Sequence, residues 1–122
     1  MSGTTLTEFL LARIAEDEDA ARKATRGHWK LWAMEVRADV YGTSNLDTSL
    51  PVARTSHEEG LRTFNASHIA RHDPDRVLAE CASKRRLVEW MSHWQRDVAL
   101  EGTCLLALPY ADHPDYRDEW RP

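Results

Sequence analysis

The chain has 122 residues, which suits one domain spanning 1–122 that removes ~two-thirds of its surface from water on folding. Its 42% hydrophobic and 30% charged residues are ordinary for a globular protein, and no apolar run approaches the ~20 residues of a membrane-spanning helix. A net charge of −4 argues against broad nucleic-acid binding, which leans on phosphate neutralisation.

MSGTTLTEFL carries neither a basic flank nor a long apolar stretch, so it does not read as a secretion signal, and the cytoplasm is the expected location. Thr5 and Glu8 form a capping box: the hydroxyl of one and the carboxylate of the other can each take an orphan N–H of a starting helix. Leu6, Phe9, Leu10, Ile14, Ala21 and Ala24 keep helical spacing from there towards Gly27, a natural stop. The run Glu16-Asp17-Glu18-Asp19 resembles a metal patch at first glance. Glu18 lies four before Arg22, however, and Asp19 four before Lys23, the favourable orientation for helical ion pairs, so a salt-bridged surface is the better reading.

From Trp29 to Tyr41 two periodicities compete. Trp32, Met34, Val36, Ala38 and Val40 alternate as in a strand, while Trp29, Trp32, Ala33, Val36 and Val40 also fit a helix. Strand is preferred, because Gly42-Thr43-Ser44-Asn45 is rich in turn formers and Leu50-Pro51-Val52-Ala53 offers a short return partner. Pro51 would make that return an edge strand.

Ser56-His57-Glu58-Glu59 is a second capping box and predicts a helix to His72, with Leu61, Phe64, Asn65, His68 and His72 on one face. Asp73-Pro74 then breaks it. Asp is a good N-cap, Pro loses nothing at the first helical position, and Pro74 disfavours helical geometry at the residue before it. Two helices should therefore meet at a corner.

The second of them is the expected central helix, roughly Pro74 to Leu100. Val77, Leu78, Cys81 and Val88 fall on one side, Leu87, Met91, Trp94 and Val98 on an adjoining one, an arc wide enough to be gripped by two neighbours. Arg85 projects into the first apolar sector, where it snorkels, pairs with a carboxylate, or joins Lys84 and Arg86 in gripping an anionic ligand. After Gly102, Cys104 to Leu108 predicts one or two helical turns, followed by Pro109 and an aromatic, acidic tail. The expected fold class is α+β, mostly α: an N-terminal helix, one β-hairpin, a two-helix corner with a long central helix, and a short C-terminal helical segment plus tail.

Charge is unevenly shared. Six Lys/Arg face three acids between Arg62 and Arg86, whereas six acids face two Arg from Asp97 onward. The acidic tail is expected to lie over the basic helix pair, in the same subunit or a neighbour, anchored by Tyr110, Tyr116 and Trp120.

HIARHDPDRVLAECASKRRLVEW and LLALPYADHPDYRDEWRP resemble the signature segments of an uncharacterised domain family of small proteins from actinobacteria and their phages, and FLLARIAEDEDAARKA fits its opening helix. About half the chain is covered. Where that family commonly reads ATPGPW, this chain has Ala24-Thr25-Arg26-Gly27-His28-Trp29. Many members carry a cysteine pair between the long helix and the tail, suggestive of zinc; this chain has only Cys104 there. The resemblance implies no named activity, and a phage or mobile-element setting.

Several candidate sites follow from the residues. His68 and His72, four apart on a helix, can approach one metal ion, with Asp73, Asp112 or His113 completing the shell; the alternatives are hydrogen-bonded core or interface histidines and acid–base catalysis. No third ligand stands at a diagnostic interval, and Cys81 and Cys104 form no metal or redox spacing, so Cys81 reads as a small core residue. Arg71, Arg76, Lys84, Arg85 and Arg86 form a basic stripe for an anionic ligand, or for nucleic acid with Trp90 and Trp94 stacking on bases. No nucleophile elbow or phosphate-cradling glycine loop exists. Five tryptophans are many for this length, and Trp90, Trp94, Tyr110, Tyr116 and Trp120 are candidate interface residues. The leading expectation is a non-enzymatic interaction or regulatory protein, homo-oligomeric, with another protein as a further partner and its cofactor unknown. A metal- or anion-binding protein, including a hydrolase using His68 and His72, is the rival.

Overall fold

The computed structural model describes residues 3–32, 35–42, 45–55 and 61–122. Its order is helix α1 (Leu6–Lys23), strands β1 (His28–Trp32), β2 (Glu35–Asp39) and β3 (Leu50–Arg54), then helices α2 (Leu61–Arg71), α3 (Pro74–Met91) and α4 (Arg96–Ala107). The fold is α+β and mostly α, opening on a helix. Among the described residues, no helix is long and apolar enough to cross a membrane. Contacts divide the chain into one unit of Met1–Asp17 with Glu80–Pro122 and another of Glu18–Ala79.

In the first unit α1 starts as its capping box requires. The Glu8 N–H donates to Thr5 Oγ1 at 3.1 Å and the Thr5 N–H to Glu8 Oε2 at 3.2 Å. Leu6, Phe9, Leu10 and Ile14, at helical spacing, are all buried. Leu6 and Phe9 join Ala107 and Trp120 in a core against which Cys104, Tyr110 and Tyr116 pack. The Cys81 thiol is buried and points at the Ile14 carbonyl, 4.0 Å away; both cysteines are free thiols.

The long rod expected to reach Leu100 ends sooner. Helix α3 stops at Met91, residues 92–95 form a tight turn, and a separate α4 begins at Arg96. In that turn the Trp94 N–H donates to the Met91 carbonyl at 3.0 Å, a shorter loop than the helical one. The apolar spacing runs on through the turn, and neither Gly nor Pro marks it. Gly102, after which a short helical segment was expected to begin, lies inside α4, where a Cβ would run into the Met91 sulfur. Two helices cross closely there because one of them lacks a side chain. The apolar run from Cys104 is accordingly the last turn of α4, and Leu108–Tyr110 continues it as a 3-10 turn with Pro109 in its opening positions.

The second unit holds the antiparallel sheet, in the order β1-β2-β3. The stretch expected as one strand from Trp29 to Tyr41 is itself a hairpin, with Trp32 opposite Glu35 and Trp29 opposite Ala38. Partners across a hairpin share a face, so Trp29 and Leu31 go with Val36 and Ala38. The apolar parity thus switches from odd to even numbers at the turn. No Gly, Pro, Asn or Asp stands between Trp32 and Glu35 in the sequence to announce it. The return strand is where it was expected: β3 pairs with β2, and Pro51 lies opposite Arg37 on the edge, beside a register shift. Gly27 has φ +96, and a Cβ on it would meet the Asp39 carbonyl. It therefore admits the chain to β1 rather than ending α1, which stops at Lys23.

Helix α2 packs on β1 and β2. Ala66 is fully buried and Ile69 half-buried, while Phe64 is 73% exposed and His68 and His72 are exposed. The face expected to be apolar is the outer one, because a small residue lets the helix lie close to the sheet. The second capping box, Ser56 to Glu59, lies outside the described residues. The corner forms as Asp73-Pro74 predicts: Asp73 Oδ1 accepts the Arg76 N–H at 2.9 Å, and the Asp73 carbonyl accepts from Val77.

Candidate functional site

The tail packs through its aromatic residues, and one of its acids, Asp115, lies 4.0 Å from the Arg13 guanidinium. The Phe9 ring touches His113, Tyr116 and Trp120, with centroids 5.6, 5.8 and 5.1 Å away. Arg13, over the same ring, donates to the His113 imidazole and pairs with Glu16 at 3.0 Å. His113 Nδ1 also accepts the Asp115 N–H at 3.0 Å. Within this cluster Arg13 Nε and the Tyr116 hydroxyl are buried without a hydrogen-bond partner. Tyr110 donates to Asp17 at 2.6 Å, and its hydroxyl accepts from Lys84 Nζ at 3.4 Å. Burial, together with the Asp17 hydrogen bond and charge, pushes the Tyr110 pKa well above the usual phenol value of 10.0.

The acidic run of α1 is consumed by such contacts, Glu16 with Arg13, Asp17 with Tyr110 and Asp19 with Lys23 at 2.7 Å. The hydrogen bond and charge of Asp19 raise the Lys23 pKa.

The metal candidates are placed as follows. His68 and His72 lie ring to ring with centroids 4.4 Å apart, and His72 Nδ1 is 2.8 Å from the His68 carbonyl. That nitrogen is occupied by the helix backbone. Asp73 caps α3 and accepts the Trp29 N–H, and His28 Nδ1 stands 3.7 Å from both Asp73 and Asp75. His113 belongs to the tail cluster. Among the described residues no group of three or more His, Cys, Asp or Glu is arranged to hold a metal ion. His68 does line an open cleft of about 350 Å³ with Arg54, Thr55 and Asn65.

The basic candidates fall in both units. Arg71 and Arg76 lie at the α2–α3 corner, where the Arg76 guanidinium donates to the Arg71 carbonyl. In the other unit Lys84 sits over the Tyr110 ring, Arg85 is half-buried and Arg86 is exposed.

The aromatic candidates separate cleanly. Trp120 is 8% exposed and sits in the core, whereas Trp90 and Trp94 are 54% and 48% exposed and pack on each other at 4.5 Å. Trp94 lines a cleft of about 550 Å³ together with Met91, Arg96, Leu100, Thr103 and the start of α1. On α3, α4 and the 3-10 turn that follows, Leu87, Val98, Leu100, Leu105 and Leu108 are also exposed. Apolar patches beyond a few hundred Å² are uncommon on monomers and mark interaction sites. The α4 part of this surface escaped sequence reasoning. Its signal was present, since Val98, Leu105 and Leu108 recur at helical spacing on the side opposite the buried Thr103 and Ala107.

No curated protein and no solved structure matches this chain. Residues 3–122 match the model of a family of unknown function (DUF6221), and the chain belongs to that family.

Proposed function

We propose that this protein is a non-enzymatic protein-interaction module whose working surface is the outer face of α3 and α4. One observation carries the reading: two tryptophans pack on each other and are half exposed, on a pair of helices that expose further large apolar side chains, Leu87, Val98, Leu100 and Leu105. Tryptophan is the residue type that most often dominates binding energy at interfaces, and a rigid exposed pair loses little entropy when covered. The groups best suited to catalysis are engaged in structure, Asp73 as a cap and strand tie, His113 beneath Arg13. The cytoplasm is the proposed location, and the sequence resemblance to small actinobacterial and phage proteins supplies a regulatory or phage–host setting.

A photo-crosslinking amino acid at Leu105, in cells that naturally make the protein, tests this. Adducts are expected from Leu105 and not from Ala15, an exposed position on α1. Equal labelling from both positions, or none from Leu105, would refute the reading.

A further inference from the structure

We infer that the α3–α4 hairpin pairs with a second copy of this chain about a two-fold axis, so that four helices enclose one apolar seam. The inference rests on the interaction reading above and names its partner. Met91 and Gly102 are in contact where the two helices cross. Leu87 lies four before Met91 and three before Trp90 on α3, and Val98 and Leu105 lie four before and three after Gly102 on α4. Residues at those spacings share a side of a helix. The contact therefore has exposed apolar side chains beside it on each helix, Leu87 and Trp90 on α3 and Val98 and Leu105 on α4. A helical hairpin with both banks apolar is half of a four-helix arrangement.

Charge selects a second copy over an unrelated partner. Arg86 lies four before Trp90 and flanks the α3 row. Glu101 lies between Val98 and Leu105, three after one and four before the other, and flanks the α4 row with Asp97 beside it. All three are exposed, and none has an ion-pair partner among the described residues. Arg13, Lys23, Arg37 and Arg54, by contrast, are all paired within the chain. The surface thus carries a cationic flank and an anionic flank on adjacent helices. A two-fold axis that sets α3 of one copy on α4 of the other brings Arg86 to Glu101 of the second copy, and does so twice. Setting α3 on α3 would oppose Arg86 to itself. Rim charges of this kind orient an interface more than they strengthen it, while the tryptophans and leucines supply the affinity.

The test is light scattering of the full chain across the micromolar range, with variants chosen at exposed positions. Wild type should be dimeric. Leu105→Glu should weaken association by at least ~100-fold, since it buries a charge only in the dimer, while melting as wild type does when both are dilute enough to be monomeric. Arg86→Glu and Glu101→Arg should each weaken it several-fold, and the double swap should restore it. A monomer at every concentration, a dimer indifferent to Leu105→Glu, or a swap that fails to restore would each overturn the inference. The Leu105 cross-link separates the two failures. An adduct of another mass with a monomeric wild type sinks the second copy and leaves the interaction face standing, whereas no adduct removes both.

Discussion

Trp29 and Asp73 are joined across 44 residues of sequence: the backbone N–H of Trp29 donates to Asp73 Oδ2 at 3.3 Å while Oδ1 caps α3. One buried carboxylate thereby starts a helix and holds the first strand of the sheet to it. Removing it leaves two N–H groups short of an acceptor. Asp73→Ala should cost ~2–3 kcal/mol, combining a lost N-cap with an unsatisfied strand donor. Asp73→Asn, which keeps one acceptor oxygen, should cost about half as much. Urea unfolding measures both; equal losses would mean that charge, not acceptor count, matters here.

Tyr110 predicts a pH dependence at the alkaline end. Its pKa is raised in the folded chain, chiefly by burial and then by Asp17. A raised folded pKa means that the contribution is fully present below the unfolded value, 10.0, and is lost as pH rises through the folded one. Wild-type stability should therefore fall as pH climbs above that value, and Tyr110→Phe should flatten the fall. Urea midpoints on either side of that value give the slope; identical slopes would dismiss Tyr110 as its source.

The tryptophans should divide by burial. Trp120→Ala empties part of the core around Phe9 and should cost ~3–5 kcal/mol. Trp90→Ala, measured dilute enough to keep the chain monomeric, should change stability by no more than ~0.5 kcal/mol. Thermal unfolding of the two variants side by side decides it, and a comparable loss from both would refute the distinction.

At the α3–α4 crossing, Gly102→Val should destabilise by ~1–3 kcal/mol through overpacking against Met91. The same substitution in a Met91→Ala background should be milder, because the sulfur in its way is gone. A double-mutant cycle reads the coupling directly, with at least ~0.5 kcal/mol expected. Strict additivity would show that the two residues do not share the contact.

Local chemistry was legible in advance wherever it acts within a few residues. Thr5 with Glu8, Asp73 with Pro74 and Asp19 with Lys23 each involve groups three or four positions apart or closer, so the chain alone brings them together. The return strand at Leu50 and its edge proline were legible for the same reason, since pairing a short apolar run against a neighbouring one needs little beyond a turn. Trp90 and Trp94 could be singled out by type, but not their half-exposure.

Tertiary structure decided the rest, because the same periodicity serves several neighbours. The spacing from Met91 to Val98 reads as one rod, yet the chain turns at residues 92–95 so that Gly102 can meet Met91. Phe64 and His68 have the spacing of a buried face, but Ala66 permits the closer approach to the sheet and takes it. Sequence determined where helices begin, what caps them and which runs are apolar, since those depend on groups a turn apart. Which apolar face is covered and which is left exposed depends on how closely distant backbones approach, and small residues such as Ala66 and Gly102 set that distance without announcing it in any local pattern.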